Sequence, residues 1–247
     1  MRVLGIDTSS FTGGVALVTD DEVVAEHSAV VSRANSESLM CVCEKLLADA
    51  GWDISRLDGI AVAIGPGSFT GVRIGVTMAK ALGYALDLPI GPVITLDAIA
   101  ANMAFSEMLV CPLICARRDL VYTAIYRVSG PYPERLSSYE AKGIYEVLRG
   151  LGPGDAGGLS HEDNRGILFV GDGARAHRQV IRAEMGTKAA IGPPWCIGPR
   201  PSVVAAMGMR AISCGGAMSA EGLVPFYLGR SSAEMAKDQL APDGRPA

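Results

Sequence analysis

The stretch Gly59-Ile60-Ala61-Val62-Ala63-Ile64-Gly65-Pro66-Gly67-Ser68-Phe69-Thr70-Gly71-Val72-Arg73-Ile74-Gly75 decides the fold. Gly59–Ile64 is an unbroken apolar run that follows Asp58 and stops at Gly65-Pro66-Gly67, the pattern of a strand buried on both faces. A tight glycine-rich turn then leads into a helix predicted over Thr70–Leu86, where the only charges are Arg73 and Lys80. These two lie seven apart, nearly on one face, and apolar residues fill almost every other side, so this helix requires cover on both flanks. Gly71, Gly75 and Ala79 recur every fourth residue. An interior Gly costs about 1 kcal/mol relative to Ala, which is reasonable where another backbone comes close. One surface suits the chain's own sheet and the other a partner's helix, unless the neighbouring helices of the same chain supply all the cover.

Working outward, Arg2–Ile6, Val15–Thr19 and Glu22–Val31 are β-branched or apolar runs separated by Thr12-Gly13-Gly14 and Asp20-Asp21, which predicts an antiparallel three-strand meander. Asn35-Ser36 offers an N-cap, and Leu39, Met40, Cys43, Leu46, Leu47 and Ala50 form the stripe of an amphipathic helix that Gly51 ends. Ile90–Ile94 reads as a short strand and Leu96–Phe105 as a third helix, so residues 1–107 read as one β-β-β-α-β-α-β-α lobe. A second lobe over 108–230 begins with Leu109–Ala116 and Leu120–Val128, a hairpin about Arg117-Arg118-Asp119, and continues through Ile144–Leu148. Gly150–Gly166 reads as a loop, Ile167–Val170 as a strand, and Gly173–Glu184 and Pro201–Cys214 as helices, the last with Pro in its first turn. Part of the C-terminal segment is a candidate to pack back on the first lobe, and 240–247 reads as a flexible tail.

The 247 residues are 49% hydrophobic and 19% charged, which excludes disordered and fibrous classes. The longest uncharged stretch, Gly59–Val72, is 14 residues against the roughly 20 a membrane-spanning helix needs. No apolar h-region follows Met1-Arg2, so a cytoplasmic location is expected. Six cysteines without a C-x-x-C pair read as reduced core thiols. Net charge is −4, which argues against a large autonomous nucleic-acid surface. Its distribution is uneven: residues 1–107 hold 6 basic and 13 acidic groups, and 108–247 hold 16 and 13.

Few motifs offer chemistry. Asp7-Thr8-Ser9-Ser10 ends the first strand, where backbone N–H groups and short hydroxyls can converge near one carboxylate to hold a phosphate or a magnesium-bound water; an Asx or Ser/Thr turn reads equally well. The glycines from Gly65 to Gly71 fall as G-x-G-x-x-x-G, which is not the dinucleotide fingerprint, and no Lys-Ser or Lys-Thr makes a P-loop. Gly67, Ser68 and Thr70, with Thr70 as an N-cap, remain a candidate anion site at a helix start, or a purely structural turn. His27, His161 and His177 are isolated, no G-x-S-x-G elbow occurs, and neither a protein-built metal site nor a nucleophilic hydrolase has support.

Val3-Leu4-Gly5-Ile6-Asp7-Thr8-Ser9, the Gly65–Gly75 run, Ala116-Arg117-Arg118 with Val121-Tyr122, Gly171-Asp172-Gly173-Ala174 and Pro225-Phe226-Tyr227-Leu228 together resemble the TsaB (YeaZ) family. The resemblance is dense over 1–128 and sparse over 167–230. It implies an α/β, two-lobed actin/Hsp70/sugar-kinase-like (ASKHA, ribonuclease H-like) fold with mixed sheets. It implies a non-catalytic subunit of the bacterial machinery that makes threonylcarbamoyladenosine on tRNA, next to the anticodon. Its first-lobe helices, here Ser36–Ala50 and Thr70–Leu86, pair with the catalytic TsaD subunit, which makes Glu37, Leu39, Met40, Gly71, Arg73, Ile74, Gly75, Thr77, Met78 and Lys80 the expected partner-binding residues. A TsaE-like ATPase docks on the pair, and tRNA is reached indirectly through the complex. A homodimer is expected when the chain is alone, with no intrinsic cofactor beyond ATP or ADP with magnesium at the partner interface, around Asp7, Thr8, Ser9, Gly67, Ser68 and Thr70.

Departures from the family pattern carry weight. Where TsaD-like relatives place a metal-binding H-x-x-x-H, this chain reads Asn35-Ser36-Glu37-Ser38-Leu39. Cys115 stands where many relatives have Asp, and Leu109–Asp119 lacks a Gly-Thr phosphate turn. The alternatives are an ASKHA-type ATPase or phosphotransferase using Asp7 and the Gly65–Thr70 turn, or a glycopeptidase-like protein of the M22 type.

Overall fold

A computed structural model describes residues 1–30, 39–117, 120–151 and 166–228, apart from the side chain of Arg117. The expected cap at Asn35-Ser36, Glu37, most of the Gly150–Gly166 loop, the Arg118-Asp119 turn and the 240–247 tail lie outside the described residues.

The apolar run becomes β4 (Gly59–Gly65), the strand that every other part of the first lobe packs around. Its alternation is one of size rather than polarity. Ile60, Val62 and Ile64 face one side of the sheet and Ala61 and Ala63 the other. β1 (Val3–Asp7) repeats this with Leu4 and Ile6 against Val3 and Gly5, and runs parallel to β4. β2 (Thr12–Val18) and β3 (Val23–Val30) complete the antiparallel meander, and β5 (Ile90–Ile94) lies parallel to β4, giving the order β3-β2-β1-β4-β5. On the large-residue face lie α1 (Leu39–Asp49), over β2 and β3, and α2 (Phe69–Leu86), over β4.

The small-residue face receives α7 (Pro201–Ser213), which belongs to the far end of the chain. Gly5, Ala61 and Gly91 let its backbone approach: a Cβ on Gly5 would lie 2.7 Å from Ala205 Cβ, and one on Gly208 would overlap Ala61. The segment after α7 continues around the first lobe. Met218 and Ile90 exchange backbone hydrogen bonds of 2.8 and 3.0 Å, Leu223 is fully buried, and Phe226 N–H donates to Ile64 O at 2.7 Å. Gly65, with φ +113°, makes room for the Phe226 carbonyl, a conformation and an approach open only to glycine.

The second lobe repeats the first topology. β6 (Leu109–Arg117) pairs antiparallel with β7 (Leu120–Thr123) and parallel with β11 (Ile167–Val170), and β10 (Glu140–Gly143) and β12 (Ala189–Ile191) flank them in the order β10-β7-β6-β11-β12. The predicted strand Leu120–Val128 is interrupted: Ile125 N–H leaves the ladder to donate to Ser137 Oγ, and β8 (Tyr126–Arg127) pairs elsewhere on β6 and with β9 (Glu134–Arg135). α4 (Ile144–Gly150) packs on this sheet. The predicted helix Gly173–Glu184 is two helices, α5 (Asp172–Ala176) and α6 (Arg178–Met185), broken at His177. α3 (Thr95–Ala101), shorter than the predicted Leu96–Phe105, is wedged between the lobes with Ala98 toward the first sheet and Leu96, Ile99 and Ala100 toward Val110, Ile114 and Tyr126. The result is the two-lobed, mixed-sheet α/β fold of the ribonuclease H-like kind. No helix among the described residues is long and apolar enough to cross a membrane.

Because α7 meets the sheet through backbone contact, one added methyl has nowhere to go. Gly208→Ala is expected to destabilise by about 1–3 kcal/mol, lowering the melting temperature by roughly 3–10 °C at this chain length in a circular dichroism melt.

Candidate functional site

α2 starts at Phe69 because Ser68 caps it: Ser68 Oγ accepts from Gly71 N–H at 3.2 Å, while Ser68 N–H donates to Ser9 O at 2.8 Å. Ser68, not Thr70, is therefore the N-cap. This seating turns Gly71, Gly75 and Ala79 inward. A Cβ on Gly71 would overlap the Thr8 carbonyl, one on Gly75 would sit 2.5 Å from Thr8 Oγ1, and Ala79 is fully buried. The close approach those small residues permit is to the chain's own first strand.

The opposite flank of α2 is uncovered. Phe69, Thr70, Arg73, Thr77, Ala81 and Tyr84 are exposed, and Ile74 and Met78 are half-buried. Together with Leu39 and Met40 of α1, most of these line an open groove of about 520 Å³. Arg73 lies over the Phe69 ring at 4.9 Å, and Phe69 packs on Tyr227 at 5.3 Å between ring centroids, which fixes the groove's end. Of the expected partner-binding residues, Leu39, Met40, Arg73, Ile74, Thr77 and Met78 meet at this groove. Gly71 and Gly75 face the strand, and Lys80 donates to Leu223 O at 3.1 Å, tying down the C-terminal segment. Phe69 and Ala81 line the groove without having been singled out. Their helical phase relative to Ile74 and Thr77 was the signal that places them there.

Asp7 sits at the end of β1, fully buried. Its Oδ1 accepts from Ser9 N–H at 3.0 Å and Ser9 Oγ at 2.6 Å, while Oδ2 has no partner among the described residues. Burial pushes its pKa up to about 7, against the pull of the two Ser9 bonds. The hydroxyls around it are already engaged: Thr8 Oγ1 donates to Gly71 O at 2.7 Å and Ser10 Oγ to Thr12 O at 2.9 Å. Above the turn, Gly67 is in backbone contact with Ser9 O. The residues proposed for a phosphate are thus brought together, and the Thr8 and Ser9 hydroxyls and the Ser9 and Ser68 N–H groups are engaged within the turn itself.

A second buried carboxylate joins the lobes. Asp97 of α3 accepts from Tyr126 Oη at 2.6 Å and from Tyr139 Oη at 2.8 and 2.9 Å. Arg135 lies 4.1 Å over the Tyr139 ring and Phe226 meets that ring edge-on at 5.6 Å. Burial raises the Asp97 pKa, partly opposed by the two tyrosine bonds. Asn102 Nδ2 donates across to Gly198 O at 2.9 Å, and Arg210 of α7 lies 4.1 Å over Tyr132. Nothing local in the sequence signals this latch, whose partners lie 29 and 42 residues apart.

The family model described as TsaD, tRNA N6-adenosine threonylcarbamoyltransferase, matches residues 24–237. The tRNA threonylcarbamoyladenosine biosynthesis protein TsaB of Bacillus subtilis is 37% identical over 234 residues, covering 95% of this chain and 96% of that protein. TsaB of Escherichia coli is 35% identical over 129 residues, 51% of this chain and 55% of that one. The solved structure of YeaZ from Pseudomonas aeruginosa matches with a TM-score of 0.76 at 25% identity, covering 92% of this chain and 99% of that chain.

A carboxyl with a folded pKa of about 7, against 3.8 for the free group, holds its proton in the folded state where the unfolded chain has lost it. Its contribution to stability is therefore greatest below pH 4 and declines as pH rises to about 7. Asp7→Asn is expected to remove that slope, so that melts from pH 4 to 8 show the parent losing ground relative to the variant.

Proposed function

The chain belongs to the TsaB family of tRNA threonylcarbamoyladenosine biosynthesis proteins, and from this premise we propose that it is a non-catalytic subunit that binds and supports a TsaD-type transferase. The observation that carries the reading is the α1/α2 groove: a helix pair whose inner side packs on its own sheet leaves Met40, Ile74, Thr77 and Met78 open on the outer side. Flexible methionines beside an aromatic anchor, Phe69, are the residue types from which hot spots at helix-to-helix contacts are built. Like helices of the partner's first lobe fill the groove, forming a bundle. The same face pairs with a second copy when the partner is missing.

Two features support assigning the chemistry to the partner. The Asp7 turn is closed by the chain's own hydroxyls and glycine backbone, and the latch at Asp97 ties together two lobes that a phosphotransferase must move. No cofactor belongs to this chain in this reading. ATP or ADP with magnesium is placed at the boundary with the partner, a TsaE-type ATPase docks on the assembled pair, and the work is done in the cytoplasm.

Met78→Glu and Met40→Glu place a carboxylate in the groove without touching the sheet. Each is expected to weaken association with the TsaD-type subunit of the same organism on the order of 30-fold, with a melt close to the parent's, in a titration followed by size exclusion. Undiminished association of both variants would overturn the proposal.

A further inference from the structure

A charged face on the second lobe takes no part in the groove. Arg175 of α5, Arg178 and Arg182 of α6 and Lys188 just beyond are all exposed, and none of their side chains makes a hydrogen bond or ion pair with the described residues. Arg178 and Arg182 are one turn apart on α6, and both are exposed while Ile181 between them is fully buried. The only free acidic group of the segment is Glu184, since Asp172 accepts Cys115 N–H at 2.9 Å. In a chain of net charge −4, four unpaired cations on one short stretch are a local reversal of sign.

An exposed aromatic group lies in a turn bonded to the start of α5. Trp195 is 75% exposed, held in the turn Pro194–Cys196 between Pro193 and Gly198. That turn is pinned to the start of α5, because Gly171 N–H donates to Cys196 O at 3.0 Å, and Gly171 O in turn accepts Arg175 N–H at 3.3 Å. The turn that carries Trp195 and the backbone of Arg175 are therefore bonded to the same glycine. Unpaired arginines read a phosphate backbone through charge, and an exposed indole on a stiff turn offers a π-face to an unstacked base. A nucleic acid with unpaired bases offers a partner to both, phosphates to the cations and a base face to the indole.

We propose that the α5–α6 face binds RNA directly, with Arg175, Arg178 and Arg182 on the phosphate backbone and Trp195 under an unpaired base. The chain would then contact the tRNA itself rather than only through its partner. This rests on the scaffold reading for the identity of the RNA, but it concerns a different lobe and different residues.

The test is fluorescence anisotropy of a labelled, unmodified tRNA transcript against the complex with the TsaD-type subunit, and against the full chain alone, over about 50–250 mM KCl. The double variant R178A/R182A is expected to lower the slope of log affinity against log salt by about one unit per arginine. Trp195→Ala is expected to weaken binding about 5-fold or more at every salt concentration with the slope unchanged. Size exclusion on the same samples reports assembly. Loss of assembly in the parent chain overturns the scaffold reading, and the free-chain titration still reads the slope. Parent-like slope and affinity in R178A/R182A and Trp195→Ala overturn the RNA face, an outcome that leaves an acidic protein as the partner of the arginines.

Discussion

The contact on which most of this molecule depends is between backbones: the end of β1 at Thr8 and Ser9 against the turn and first coils of α2 at Gly67, Gly71 and Gly75. A side chain at any of these glycines would strike Thr8 or Ser9. The contact sets the rotation of α2 about its axis, and with it which residues face outward. It also lays the glycine turn over Asp7, so one packing decision closes a carboxylate and opens a groove.

That coupling shows where sequence reading succeeds and where it stops. The four-residue spacing of Gly71, Gly75 and Ala79 was legible as close approach, because helix geometry puts such residues on one face whatever they meet. What they meet was not legible. The other side of the contact, Thr8 Oγ1, is 63 residues from the Gly71 carbonyl it bonds, and strand order alone decides that it arrives there. The element order of the first lobe and the buried strand Gly59–Ile64 were readable from periodicity and punctuation, and the structure bears them out. Lys80 looked available on a helix face, yet its ammonium holds Leu223 O, a tertiary bond no window of sequence contains. The break at His177 is equally tertiary: His177 N–H still bonds Gly173 O, but the helix axis restarts so that Ile181 can enter the second core.

The two lobes show the same topology with different fates. In the first, alternating large and small residues along β1 and β4 make one face for α1 and α2 and another for α7, so residues 201–228 complete a lobe that the chain left a hundred residues earlier. This return is why the charge difference between the halves is not a difference between two independent bodies. The second sheet keeps its outer helices α4, α5 and α6 for itself, and its inner face meets α3. Asp97 is then the shared point: it sits on a first-lobe helix and takes its hydrogen bonds from two second-lobe tyrosines, in a setting where an unpaired carboxylate would cost several kcal/mol.

The proposed division of labour draws on these constraints. Hydrolysing or transferring a phosphate in a two-lobed fold requires donors free to meet the anion and lobes free to close on it. Here the donors of the Asp7 turn are spent on the chain itself, and Asp97, Arg210 and Asn102 hold the lobes across their boundary at several separate points. Both arrangements favour rigidity. Rigidity is what an exposed helix pair needs if it is to present Met40, Ile74 and Met78 in one fixed relation to another protein, because a surface ordered in advance loses less entropy on binding. The closed carboxylate and the open groove are thus two outcomes of one rigid body, and each makes physical sense of the other.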